Sequence, residues 1–281
     1  MKVGLSSYTY AWAAGIPGTP APQTPFTPER LIDLASELGA DAVQIADNMP
    51  LHNLTAGRLS EVAARARQSG VAIEVGTRGT ALGDLERYLR VAETCASRIL
   101  RSVPSVELQP GDHAGEEKFL DDTQHEISSL VPDLERMDVT LCLENYEGIS
   151  VRTLARLVGR IDSPHVRVCL DSLNSLGRSE GYETVASELA ALTANLHIKD
   201  YRISRMDHRL GFVVEGTPAG SGVLPVQDLV ARVGPQATAV VELWTPWQGT
   251  IEKTCDTEAA WARESVAFLR GEASQNPWSS E

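Results

Sequence analysis

Four polar residues stand where apolar runs end. Glu144 closes VTLCLE, Asp171 closes VRVCLD, His197 lies in NLHI and Glu242 closes AVVE. Each run is short and otherwise apolar, the pattern of a strand buried on both faces. A single residue of this kind reads as a helix cap, a surface ion pair or, for the imidazole, a satisfied core histidine. Four of them in consecutive runs read differently. Three carboxylates and an imidazole brought together repel one another unless a cation sits among them. Three oxygen donors and one nitrogen suit one divalent ion, Mn2+ or Mg2+, with Co2+ a further fit. No two of the four cysteines share a CxxC spacing, so a sulfur-rich zinc site is not on offer.

Such an ion is a Lewis acid. By chelating a carbonyl and its neighbouring hydroxyl it would stabilise an enediolate. Removing a proton from the adjacent carbon then gives isomerisation or epimerisation. Losing CO2 from a 3-oxo acid reaches the same type of intermediate. Glu144 and Glu242 would flank the substrate. Lys199 lies two residues beyond His197, on the same side of an extended segment, and is a candidate proton donor.

The stretch after His197 is basic. Lys199, Arg202, Arg205 and Arg209 face only Asp200 and Asp207, in a chain whose net charge is −13. Arg202, Arg205 and Arg209 are therefore candidate contacts for an anionic substrate group, a carboxylate or phosphate. The plainer reading is a solvated, salt-bridged loop. Gln44, Glu74 and Arg78 follow earlier apolar runs and are candidate substrate contacts. Asp47, Asn48 and Arg101 lie near them, and Trp12, Trp244 and Trp247 are candidate cavity walls.

These residues need a frame that brings strand ends together. Apolar runs at 2–7, 42–46, 71–75, 98–103, 139–144, 166–171, 195–198 and 239–242 read as eight strands. Between them lie amphipathic stretches at 28–38, 55–69, 81–96, 116–137, 151–159, 182–192, 226–233 and 252–269. Thr27 and Pro28 open the first helix and Gly39 stops it; Gly70 closes the second. Pro132 predicts a break in the fourth. Residues 199–223 read as a Gly-, Arg- and Asp-rich loop. Eight strand–helix units predict a parallel sheet closed into a single (β/α)8 TIM barrel over residues 1–271, with a frayed tail at 272–281. An open dinucleotide-binding sheet would want a Gly-rich turn after the first strand, where Tyr8-Thr9-Tyr10 stands.

Composition agrees. The chain has 281 residues, 42% hydrophobic and 22% charged, which suits a folded domain with a large core. Its acidic charge argues against nucleic-acid binding. Ser6, Ser7 and Thr9 interrupt the N-terminal apolar stretch, so a cleaved leader is not expected. No run approaches the ~20 apolar residues of a membrane span. Cys142 and Cys169 sit inside strand-like runs and read as small buried hydrophobes. A cytoplasmic protein without a membrane partner is the expectation.

With these residues in view, the chain resembles the xylose isomerase-like TIM barrels of the sugar phosphate isomerase/epimerase superfamily. The strings that carry the resemblance are LCLENYEG, VCLDSLNSLG, LHIKDYRISR, GTPAGSGVLP and VELWTPW. It implies that Glu144, Asp171, His197 and Glu242 bind the metal and that the two glutamates double as acid/base pair. Ketose epimerases of this kind carry a substrate-binding His three residues after the metal Asp; this chain has Asn174 there. They carry an Arg six residues after the metal His; this chain has Ile203, flanked by Arg202 and Arg205. LDSLNS, HIKDYRISR and ELWTP are similar to a subgroup that includes 3-oxo-isoapionate decarboxylases. The resemblance implies a metal-dependent isomerase or epimerase acting on a small keto sugar or keto sugar acid, with decarboxylation of a 3-oxo sugar acid as the alternative. A non-catalytic sugar-binding barrel is a remote third reading. A related abasic-site endonuclease would need many histidines and a basic surface, and the chain has six histidines. Exposed helices of such barrels often pair, so a homodimer is expected.

Overall fold

The eight apolar runs pair in parallel and close on themselves. In the computed structural model, which describes residues 1–272, the barrel strands are β1 (Lys2–Ser6), β2 (Ala42–Ile45), β3 (Ala72–Arg78), β4 (Ile99–Val103), β5 (Thr140–Glu144), β6 (Val166–Asp171), β7 (Thr193–Ile198) and β10 (Thr238–Val241). Their order around the ring is β1-β10-β7-β6-β5-β4-β3-β2. Each neighbour pair is parallel, so every strand delivers its C-terminal end to one rim. The expected fold, a single (β/α)8 barrel, is the fold observed.

Helices wrap the ring: α2 (Pro28–Glu37), α3 (Ala56–Ser69), α4 (Leu82–Cys95), α5 (His113–Met137), α6 (Val151–Ile161), α7 (Tyr182–Leu189), α8 (Val226–Val233) and α9 (Ile251–Leu269). Their ends follow sequence chemistry. Thr27 Oγ1 accepts the Arg30 N–H with Pro28 in the first turn, and Gly70 ends α3 at φ 69°. On α6, Leu154, Leu157 and Val158 form the buried stripe. Each fully buried leucine of this kind contributes roughly 1.5–3 kcal/mol.

Two expectations are corrected. Pro132 does not break α5, which runs unbroken from His113 to Met137. The carbonyl deprived of its donor belongs to Ser128, on the exposed side of the helix, where water can satisfy it. A short helical segment, Ser7–Tyr10 continuing into α1 (Ala11–Ala14), follows β1. The stretch at 199–223 is not a plain loop. It folds back as an antiparallel hairpin, β8 (Asp200–Arg205) and β9 (Phe212–Thr217). The expected frayed tail lies, apart from residue 272, outside the described residues. Among the described residues, no helix is long and apolar enough to cross a membrane.

Register positions the polar residues. Ser6 pairs with Gln44 and Gln44 with Glu74. Between β6 and β7 the register shifts: Val168 opposes Thr193, but Cys169 opposes Asn195. Ala194 is the extra residue of a bulge, and beyond it His197 lies opposite Asp171.

Candidate active site

His197 is the hinge of the site. Its ring is fully buried, and Nε2 lies 2.7 Å from Gln44 Oε1. The Gln44 amide has one consistent orientation, because its Nε2 donates to Asn195 Oδ1 at 2.8 Å and to Glu74 Oε2 at 3.2 Å. Gln44 Oε1 must therefore accept, so His197 Nε2 carries a hydrogen and Nδ1 is the nitrogen left to face the other side of the site. Nδ1 has no hydrogen-bond partner. It points instead at three carboxylates: Glu144 Oε2 at 3.5 Å, Glu242 Oε1 at 3.5 Å and Asp171 Oδ2 at 3.6 Å.

An unpartnered buried nitrogen facing three carboxylates calls for a positive charge among them, a proton or a metal ion. The spacing fits one. Donors bound at about 2.1 Å to a common ion lie about 3.0–3.5 Å from their neighbours. Donor atoms of Asp171, His197 and Glu242 all fall within 4.8 Å of one another, and those of Glu144, Cys169 and His197 do likewise. Cys169 is spoken for: its Sγ donates to Asn195 Oδ1 at 3.2 Å, and burial pushes its thiol up to about 12. Asp171, His197 and Glu242 thus have the chemistry and spacing to hold a divalent ion, and Glu144 Oε2 lies 3.5 Å from the same His197 Nδ1.

Each carboxylate is fixed by further bonds. Glu144 accepts from Arg101 Nε and from Asn174 Nδ2 at 2.8 Å. Asp171 Oδ1 accepts the N–H groups of Leu173 and Asn174 at 2.9 and 2.7 Å. Asn145 clamps the Asp171 backbone from both sides. Glu242 Oε1 accepts from Ser6 Oγ at 2.8 Å. Burial would raise the Glu144 carboxyl, but Arg101, His197 and Lys199 together outweigh it and hold it well below the usual range. Burial likewise opposes ionisation of Asp171, and Lys199 and His197 together overcome it. Burial alone would lower His197; Cys169, Glu242 and Glu144 outweigh it and raise its proton affinity. The same negative field would attract a divalent cation.

Lys199 enters from just past β7. Its Nζ lies 2.6 Å from Asp171 Oδ2, 2.9 Å from Glu242 Oε2 and 3.1 Å from Asn174 Oδ1. Burial would lower its pKa, but Asp171 and Glu242 raise it, so it remains an ammonium. The Trp244 ring lies 5.6 Å away. Above these groups opens a cavity of ≈ 280 Å³, and Lys199, Asn174, Glu144 and Glu242 line it. Tyr8, Arg78, Arg101, Tyr146, Leu243 and Trp244 form other parts of its wall.

The expected substrate contacts divide into three groups. Arg78 and Asn174 reach the cavity. Arg78 donates to Asp47 at 3.3 Å and lies over the Tyr146 ring. Gln44 and Glu74 lie beneath it, fully enclosed, and act on His197; burial pushes the Glu74 carboxyl up. Arg202, Arg205 and Arg209 are not brought to the cavity. They stand exposed on the hairpin, where Arg202 pairs with Glu215 and Arg205 lies over Phe212. Trp12 stacks on Trp247, and only Trp244 of the three tryptophans walls the cavity.

Sequence reasoning missed Ser6, Asn145 and Asn195. Asn195 had a signal: it precedes His197 by two, so it faces the same way inside an apolar strand. The Gly-rich string also finds its reason. Asp200, at the hairpin base, accepts N–H groups of Gly220, Gly222 and Leu224. A Cβ at Gly222 would come within 2.2 Å of Asp200 Oδ1.

A family model described as xylose isomerase-like TIM barrel matches residues 32–272. The chain is 31% identical over 274 residues to a 3-oxo-isoapionate decarboxylase of Pectobacterium atrosepticum, covering 96% of this chain and 95% of that protein. Its backbone is similar to the crystal structure of a D-psicose 3-epimerase in the presence of D-fructose, with TM-score 0.70 and 15% identity over 96% of this chain and 99% of that one. It is also similar to a xylose isomerase-like barrel from Mycobacterium smegmatis in complex with magnesium, with TM-score 0.66 and 14% identity over 95% and 97% of the two chains. The barrel, the convergence of its strand ends and these matches agree: the chain belongs to the xylose isomerase-like TIM-barrel family.

Proposed function

We propose that this protein removes CO2 from a 3-oxo sugar acid. The observation that carries the proposal is Lys199, an ammonium at the cavity floor between Asp171 and Glu242. Epimerisation needs a carboxylate free to take a proton from carbon. Glu144 is poorly suited, because Arg101 and Asn174 occupy its oxygens and Arg101 holds its proton affinity low. Decarboxylation needs no such base. It needs an electron sink at the keto oxygen and an acid to protonate carbon after CO2 leaves.

The residues divide that work. Glu144, Asp171, His197 and Glu242 would hold a divalent ion, Mn2+ or Mg2+, which when bound supplies Lewis-acid polarisation of the keto oxygen. Arg78, anchored by Asp47, presents its guanidinium to an anionic substrate. Leu243 and Trp244 give the departing CO2 an apolar wall and exclude water beside Lys199. As the carbon–carbon bond breaks, its electron pair passes to the enediolate. Lys199 Nζ then delivers a proton to carbon and regains one from solvent. Asn174 holds the donor in place through its Oδ1. The 31% identical decarboxylase supports this reading.

One observation favours a second reading, isomerisation or epimerisation of a keto sugar: Glu144 and Glu242 both line the cavity. A single experiment separates the two. The protein is incubated with Mn2+ and either a panel of 3-oxo sugar acids, with CO2 measured, or a panel of ketoses in D2O, with deuterium incorporation measured. The proposal predicts CO2 release from an acid. Deuterium exchange into ketoses without CO2 from any acid would overturn it.

A further inference from the structure

Nine large apolar side chains are exposed among the described residues, and six of them lie on the β8–β9 hairpin: Ile203, Met206, Leu210, Phe212, Val213 and Val214. Leu210 is 85% exposed and Phe212 60%. Val223 and Trp244 meet the hairpin base, the first through its N–H on Tyr201 O and the second against Gly216. Register places Ile203 beside Val214 and Arg205 beside Phe212 on one face. A two-stranded ribbon is marginally stable in water on its own. A continuous apolar patch of this kind marks a surface that another protein covers.

We infer that the hairpin docks onto a second copy of this chain, in the groove on the opposite side of the barrel mouth. That groove has a volume of ≈ 490 Å³; Val106, Leu108 and Phe119 give it an apolar wall, Lys118 and Asp122 form an ion pair at its edge, and Glu126 adds a further negative charge. The charges complement. Arg205 and Arg209 have no carboxylate partner among the described residues, and the chain as a whole carries −13. Placement supplies the second argument. The hairpin follows β7, while the groove is built from the segments after β3 and β4, three to four strands away in a ring of eight. Hairpin and groove therefore stand across the same rim from each other. A two-fold axis perpendicular to the barrel axis brings each hairpin to the other copy's groove at once, a closed pair with no open end. The two barrel mouths then face one another.

The test is the mass of the full chain in solution, by light scattering and sedimentation velocity over a range of concentrations. Wild type is expected at twice the 30.4 kDa chain mass. Leu210→Asp combined with Phe212→Asp is expected to give a monomer with the circular dichroism spectrum of wild type, because both side chains are exposed. Glu126→Arg, on the groove side, is expected to weaken the dimer about tenfold or more. Leu210→Cys with Lys118→Cys is expected to form a disulfide between copies on oxidation. A monomer at every concentration overturns the inference. So does a dimer that both surface variants leave intact.

Discussion

Replacing Lys199 by Met separates chemistry from ion binding. Methionine keeps the length of the stem and removes the ammonium, which makes contacts of 2.6, 2.9 and 3.1 Å with Asp171, Glu242 and Asn174. Loss of a positioned proton donor lowers kcat by about 10²–10⁴. Without an ion, Asp171 and Glu242 lose their compensating charge in a buried setting, a destabilisation of roughly 3–5 kcal/mol. Saturating Mn2+ restores much of it, about 2.7 kcal/mol at a hundredfold excess over Kd. Ion affinity itself is retained or tightened, because the lysine competes for two of the same carboxylates. The assay is CO2 release from a 3-oxo sugar acid at saturating Mn2+, paired with calorimetric Mn2+ titration and thermal melting. A kcat close to wild type refutes the assignment of Lys199 as the donor. Loss of Mn2+ binding would instead make the lysine a support for the carboxylates.

Two further perturbations test the supports. Gln44→Leu removes the acceptor of the His197 Nε2–H and frees the ring; Mn2+ affinity is expected to fall about 10–100-fold, read by calorimetry. Glu258 on α9 accepts the N–H groups of Trp12 and Ala13, and burial pushes its carboxyl from 4.5 up to about 7. A raised acid binds its proton more tightly when folded, so the stability it lends is complete below about 4.5 and is lost as pH rises through about 7. The change across that window is roughly 3 kcal/mol. Denaturant unfolding of Glu258→Gln against wild type is expected to shift in favour of Gln as pH rises through the window; a gap that stays constant contradicts this.

The barrel was legible because its strands are buried on both faces and its helices on one. Short apolar runs such as VTLCLE and VRVCLD cannot be mistaken for the amphipathic stretches between them. A carboxylate at the end of such a run stands out for the same reason, and parallel strands deliver all these ends to one rim. The hairpin was not legible. Its apolar residues face water on both sides, so Ile203 and Phe212 to Val214 show no alternation of buried and exposed positions, and the Arg and Gly between them read as loop. The bulge at Ala194 is invisible in the sequence, because register is a property of two strands. Gln44 and Glu74 were noticed as polar residues near the rim, but whether they face the cavity or the layer beneath depends on barrel geometry. Arg101 was visible inside its strand, while its ion pair with Glu144 joins residues 43 positions apart.

The claim beneath these arguments is that Glu144, Asp171, His197 and Glu242 share one divalent ion. Calorimetric titration of chelator-treated protein with Mn2+, for wild type beside His197→Ala, tests it most directly. The account predicts one ion per chain in wild type and no stoichiometric binding in the variant. Wild type that takes up no stoichiometric ion, or a variant that binds as well as wild type, contradicts it.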